Sequence, residues 1–263
     1  MVLYIQLKNK EIFLLGTAHV SKDSVLEVEK SITEIKPGRV CVEIDASRYA
    51  SMTENRSWNT LNIYQVIKEK KGFLLLANLV LSSFQRKLGA ELGTMPGEEM
   101  MKAIEVATAL NIPYSFADRE VHVTLRRAWA KSDLWHKGKL LVMLLGAVFV
   151  REKFSREQLE KLKQKGALED MMEELAKYLP AVKEVLIDER DRYLATKIFN
   201  TEENVIVAVV GAGHAPGISH WLKRLDRGEA VNNLTELDRI PPPSRITKVL
   251  PWIIPVIVLL CFP

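Results

Sequence analysis

Two histidines, each preceded by a glycine-containing turn, are the residues best suited to chemistry in this chain. Gly16-Thr17-Ala18-His19 and Gly211-Ala212-Gly213-His214 stand about 195 residues apart. Imidazole can hold a divalent metal or carry a proton near neutral pH, and Gly16, Gly211 and Gly213 let the backbone bend and approach a ligand. One such phrase is an ordinary turn with an incidental histidine; two in matching contexts point to a shared site. Val42-Glu43-Ile44-Asp45 adds a carboxylate inside an apolar run. Burying Glu43 unpaired would be costly, so it needs a metal, an arginine or a histidine, unless it lies on the strand's solvent face. Asp45 reads as a cap or turn residue. Arg119, after Phe116-Ala117-Asp118, could clamp an anionic group or stabilise an oxyanion, or pair with Asp118 or Glu120. Arg126 and Arg127 follow on a predicted helix, where one could face the same cleft. By pattern alone, the alternating charges of Asp188-Glu189-Arg190-Asp191-Arg192 read as a solvated helix face.

The elements that must position these groups follow from the hydrophobic pattern. Residues 12–15 and 205–210 are short aliphatic runs that end at the two glycine-histidine phrases, as buried strands do. A helix follows each: Ser21 can cap residues 24–35, and Pro216 suits the first turn of a helix running through Leu225. Ligands bind at strand ends in open α/β sheets. An alternating N-terminal strand, its return at 11–15, the helix and a strand at 39–44 make a ββα unit with a following strand. Residues 112–116 form a further strand. Residues 55–71 and 95–110 read as helices, the second with Pro96 in its first turn, and 154–177 as a charged amphipathic helix. Residues 134–150 are apolar, but their clean stretch is too short to span a bilayer; a buried or partner-facing helix is expected, which could form a homodimer interface. Residues 1–240 thus form an α/β domain with a helical insertion at roughly 50–110 and 133–200.

At 263 residues and 48% hydrophobic composition the chain can bury one large core or two smaller ones. A net charge of +4, with the signs mixed, and sparse aromatics give no indication of nucleic acid. Cys41 and Cys261 read as buried thiols rather than a disulfide framework. The N-terminus lacks the features of a secretory signal, so the domain is expected in the cytoplasm. After Pro241-Pro242-Pro243, residues 249–263 carry no charge. Residues 241–263 are expected to be a linker and the start of a truncated membrane segment, the alternative being a docked core segment. Arg245 and Lys248 would keep the preceding domain on the cytoplasmic side.

Taken together, Leu15-Gly16-Thr17-Ala18-His19-Val20-Ser21, Val42-Glu43-Ile44-Asp45, Ala117-Asp118-Arg119 with Thr124-Leu125-Arg126-Arg127, Asp188-Glu189-Arg190-Asp191 and Val210-Gly211-Ala212-Gly213-His214 resemble the TraB/PrgY family in order along the chain. More distantly the chain resembles the Tiki metalloproteases and the erythromycin esterases. The resemblance implies an α/β fold of tandem ββα-type units with C-terminal membrane helices, and one polar cleft built from His19, His214 and Glu43. It ties TraB and PrgY to the shutdown of peptide pheromone, and it lifts Glu189 and Arg190 to candidate site members beside Arg126 and Arg127. The expected chemistry is hydrolysis of a peptide or ester by activated water. In one form zinc, manganese or cobalt is held by His19, His214 and Glu43, and Arg119 steadies the oxyanion; in a metal-free form Glu43 orients His19 as general base. A membrane-anchored module that sequesters peptide without turnover is the second reading, and a structural scaffold the third. His122, His136 and His220 are unassigned, with His122 the best spare ligand.

Overall fold

The computed structural model describes residues 2–17, 22–53, 97–149 and 177–242. Strand β1 (Val2–Gln6) turns back into β2 (Glu11–Thr17) as an antiparallel hairpin, with Gln6 opposite Glu11 and Leu7 N–H donating to the Lys10 carbonyl at 2.8 Å. Helix α1 (Lys22–Ile35), strand β3 (Arg39–Val42) and helix α2 (Ala46–Thr53) follow. Beyond them come α3 (Glu98–Ala109), β4 (Tyr114–Phe116), α4 (Val121–Lys131) and α5 (Leu134–Phe149). A helical run then comprises α6 (Pro180–Lys183), a π-helical turn (Glu184–Asp188) and α7 (Glu189–Phe199). Strand β5 (Val205–Gly211), α8 (Ala215–Asp226) and the short α9 (Thr235–Asp238) complete the order.

The five strands form one sheet in the order β1-β2-β5-β3-β4, parallel except for the β1 edge. Strand β5 lies at its centre and reads Val-Ile-Val-Ala-Val-Val-Gly, a continuous apolar run of the kind that suits a strand covered on both faces. Ile206, Ala208 and Val210 pack with Leu194, Ile198, Ile218 and Leu222 of α7 and α8. Val207 and Val209 face the other way, onto Val28, Ile32, Met100 and Ala107 of α1 and α3. The two-residue alternation of β5 therefore divides the core into two layers of helix around one sheet. Cys41 lies in this core, and burial pushes its thiol up to about 12, leaving it unreactive.

The mixed α/β fold expected from the pattern is present. Tandem ββα repetition is not: among the described residues one such unit occurs, β1-β2-α1, and each later strand leads directly into a helix. Helix α3 begins at Glu98 rather than near residue 95 because Gly97 takes φ 94°, a left-handed conformation outside the helix. No described helix is long and apolar enough to cross a membrane. The expected helices at 55–71 and 154–177, and the apolar segment at 249–263, lie outside the described residues.

Candidate functional site

The parallel register brings the carboxyl ends of β2, β5 and β3 side by side. Thr17 pairs with Gly211 and Val42 with Val209. The bases of the two glycine-histidine phrases are stitched together, with Ala212 N–H donating to the Thr17 carbonyl at 2.9 Å and the Thr17 hydroxyl to the Val210 carbonyl at 3.3 Å. Gly16 and Gly211 are strand residues here, and positive φ among the described glycines occurs at Gly97 and Gly228, so Gly213 does not require it. His19 lies outside the described residues.

Glu43, the first residue after β3, is buried beside Gly211, whose backbone N–H donates to Oε2 at 2.7 Å. Its other oxygen, Oε1, accepts from Arg190 Nη2 at 2.7 Å and lies 3.5 Å from His214 Nε2. Arg190 also grips Asp118, Nη2 to Oδ2 at 2.7 Å and Nε to Oδ1 at 3.2 Å, and its Nη1 stands 3.3 Å from His214 Nε2. Burial alone would lower the Arg190 pKa, but Asp118 and Glu43 outweigh it and the net direction is upward, so this guanidinium stays charged. On the far side of the imidazole, His214 Nδ1 meets Asp191 Oδ1 at 2.5 Å. Burial raises the Asp191 pKa, and the contact with His214 only partly opposes it. The demand that Glu43 have a partner is thus met by an arginine, a histidine and a backbone amide together.

Arg119 stands apart from this group. It is 1% exposed, and all three of its nitrogens are engaged: Nε with the Thr124 hydroxyl at 2.9 Å, Nη1 with Glu189 and the Leu237 carbonyl at 2.9 Å each, and Nη2 with the Val185 carbonyl at 3.1 Å. Its guanidinium pairs with neither Asp118 nor Glu120, although its backbone N–H donates to Asp118 Oδ1 at 2.8 Å. Arg127 forks onto the same Glu189 with two bonds of 2.8 Å, and Lys131 adds a third cation at 2.7 Å. Burial would raise the Glu189 pKa, yet the hydrogen bonds from Arg127, Lys131 and Arg119 hold its carboxyl at about 2. Arg119 and Arg127 are joined to Glu189 in this second network, and Arg126 joins neither network. The solvated face expected at 188–192 is corrected here, since Glu189 and Asp191 are both buried. The π-helical turn directly precedes α7, and three successive residues at the start of α7 reach three different partners: Glu189 towards α4, Arg190 towards the ends of β3 and β4, Asp191 towards α8.

Asp118, Asp191 and Lys131 are members of these networks that sequence reasoning did not single out. For Asp191 the available signal was an acid inside an alternating charge run, and it was ambiguous. Asp45 caps α2, accepting from Ser47 N–H at 2.9 Å and Arg48 N–H at 3.0 Å. Of the unassigned histidines, His122 pairs with Glu120 at 2.9 Å on the surface, His136 with Asp133 at 2.8 Å, and His220 packs edge-on to Trp221. Among the described residues, no three His, Cys, Asp or Glu side chains converge as a set that could hold a metal ion.

A sequence profile of the TraB/PrgY/gumN family matches residues 2–231, a span that includes the charged side chains of both networks but not the Leu237 carbonyl. The chain belongs to the TraB/PrgY/gumN family. An uncharacterized protein of Methanocaldococcus jannaschii is 36% identical over 247 residues, which cover 90% of this chain and 59% of that relative. TraB domain-containing proteins of Bos taurus and Homo sapiens are 29% and 28% identical, covering 90% and 89% of the chain and 68% and 66% of those proteins. This TraB-family chain therefore spans somewhat over half the length of its archaeal relative.

Proposed function

We propose that the chain is a hydrolase acting on a peptide through a water activated between His214 and Glu43. The observation that carries this reading is the approach of His214 Nε2 to Glu43 Oε1, 3.5 Å apart at the carboxyl ends of β5 and β3, with one ring nitrogen left to face the cleft. Water placed there gives its proton to His214 Nε2 as its oxygen adds to the carbonyl carbon; the same proton passes to the leaving nitrogen as the bond breaks. Arg190, which already touches both groups, is better placed than Arg119 to steady the oxyanion.

In the metal-dependent form, His214 and Glu43 would be two of the ligands, because a separation of 3.5 Å suits one ion with bonds of about 2.0–2.2 Å. His19 is the third ligand this form requires. A bound zinc, manganese or cobalt ion would supply Lewis acidity and a more acidic water. Arg190 contacts both donors, so ion and guanidinium compete for the place. The peptide-sequestering alternative is favoured by that same neutralisation and by the surface of α5, where Trp135 is 79% exposed beside exposed Val142 and Met143. That surface also suits a second copy of the chain. Residues 241–263, under this reading, attach the domain to a membrane.

The test is incubation of the full chain with a complex peptide mixture, with each metal in turn and with chelator, reading new termini by mass spectrometry. His214→Ala and Glu43→Ala should each lower cleavage at least about 100-fold. Native rates in both variants would remove the site; no cleavage under any condition would turn the assignment to peptide sequestration.

A further inference from the structure

We propose that Asp191 is a positioning residue for His214, and that the missing side chain at Gly217 is what lets its carboxylate reach the ring. The proposal rests on the hydrolase reading for its chemical consequence but not for its geometry. His214 and Gly217 are three residues apart at the start of α8, on the same face of the helix. Asp191 enters from α7 and fills the space over that face. A Cβ at position 217 would stand 1.9 Å from Asp191 Oδ2 and 2.6 Å from its Cγ, separations no side chain tolerates. Any residue other than glycine must displace either the Asp191 side chain or the start of α8 that carries His214, and either shift disturbs their contact.

With Asp191 in place, Oδ1 accepts the Nδ1 proton of His214 at 2.5 Å. Nε2 is then the unprotonated nitrogen, aimed at Glu43 and Arg190, in the form that a proton acceptor or a metal ligand must have. Burying a carboxylate in this way has a cost, visible in the raised Asp191 pKa. Arg190 Nη1, 3.3 Å from Nε2, favours the same tautomer, so the two contributions must be separated by experiment.

The full chain labelled with 15N-histidine is compared with Asp191→Ala and Gly217→Ala, using His214→Ala to assign the ring signals. The native His214 should be the Nδ1–H tautomer. Both variants should move it towards Nε2–H and lower cleavage of the same peptide mixture at least about tenfold. A ring that stays Nδ1–H in Asp191→Ala would overturn the proposal, because Arg190 would then suffice. Should Gly217→Ala not fold, Asp191→Ala alone decides. If the native chain cleaves nothing while the tautomer still shifts in the variants, the hydrolase reading fails and the positioning of His214 stands.

Discussion

At the scale of single residues, the most consequential charge is Glu189, a carboxylate 7% exposed among three cations. Its folded pKa of about 2 lies below the ordinary 4.5. A depressed carboxyl contributes stability that is complete above its unfolded pKa and lost as pH falls through the folded one, so the window here runs from about 4.5 down to about 2. The difference corresponds to about 3 kcal/mol. Glu189→Gln should therefore be less stable than the native chain by roughly that amount at pH 7, and the gap should close towards pH 2; urea unfolding at a series of pH values measures it. Arg190 is the neighbouring residue with the opposite character. It neutralises two carboxylates at the carboxyl ends of β3 and β4 and is itself held by them, whereas Glu189 ties the same turn of α7 to the rest of the protein.

Among elements, α9 is held by side chains from far away in sequence. Arg119 donates to the Leu237 carbonyl at 2.9 Å, and Arg127 to the Glu236 carbonyl at 2.8 Å and to that of Arg239. Four residues make a helix with little stability of its own, so these bonds keep it in place. Arg127→Ala should lower stability by about 3 kcal/mol, because it leaves Glu189 with fewer partners, and should remove hydrogen-exchange protection at the Leu237 and Asp238 amides before other amides respond. Helix α3 offers a simpler case. Gly97 at φ 94° permits the turn that opens it, and Gly97→Ala should cost about 1 kcal/mol, read as a lower Tm. The strands at 12–15 and 205–210 and the helix after Pro216 were legible because alternation, aliphatic runs and a proline in the first turn are local properties. The start of α3 was not, because Pro96 suggested a first turn near residue 95 and the left-handed Gly97 set the start at Glu98.

For the whole molecule, the strand order brings two segments distant in sequence together at the carboxyl ends of neighbouring central strands. Gly16-Thr17 and Gly211-Ala212 become neighbours only because β5 inserts between β2 and β3. The proposed membrane attachment belongs to this scale: a chain ended after residue 240 should remain in the soluble fraction and keep its cleavage, while the 263-residue chain partitions with vesicles; equal partition in a flotation assay would count against an anchor. The family profile runs from residue 2 to 231 and so ends before that tail. By itself the sequence determined the fold class, the strands that lead into the two glycine-histidine phrases and the need of Glu43 for a partner, since each depends on local periodicity or on the cost of burying charge. Only the tertiary structure decided the pairings. Arg119 joins Glu189 rather than Asp118 or Glu120, Arg190 reaches Glu43 across 147 positions, and Asp191 reaches His214 over Gly217. A run of alternating charge is compatible with a solvated face or with a buried network. The rotation of α7 and the close approach of α8 select between them, and neither quantity is written in the spacing of the residues.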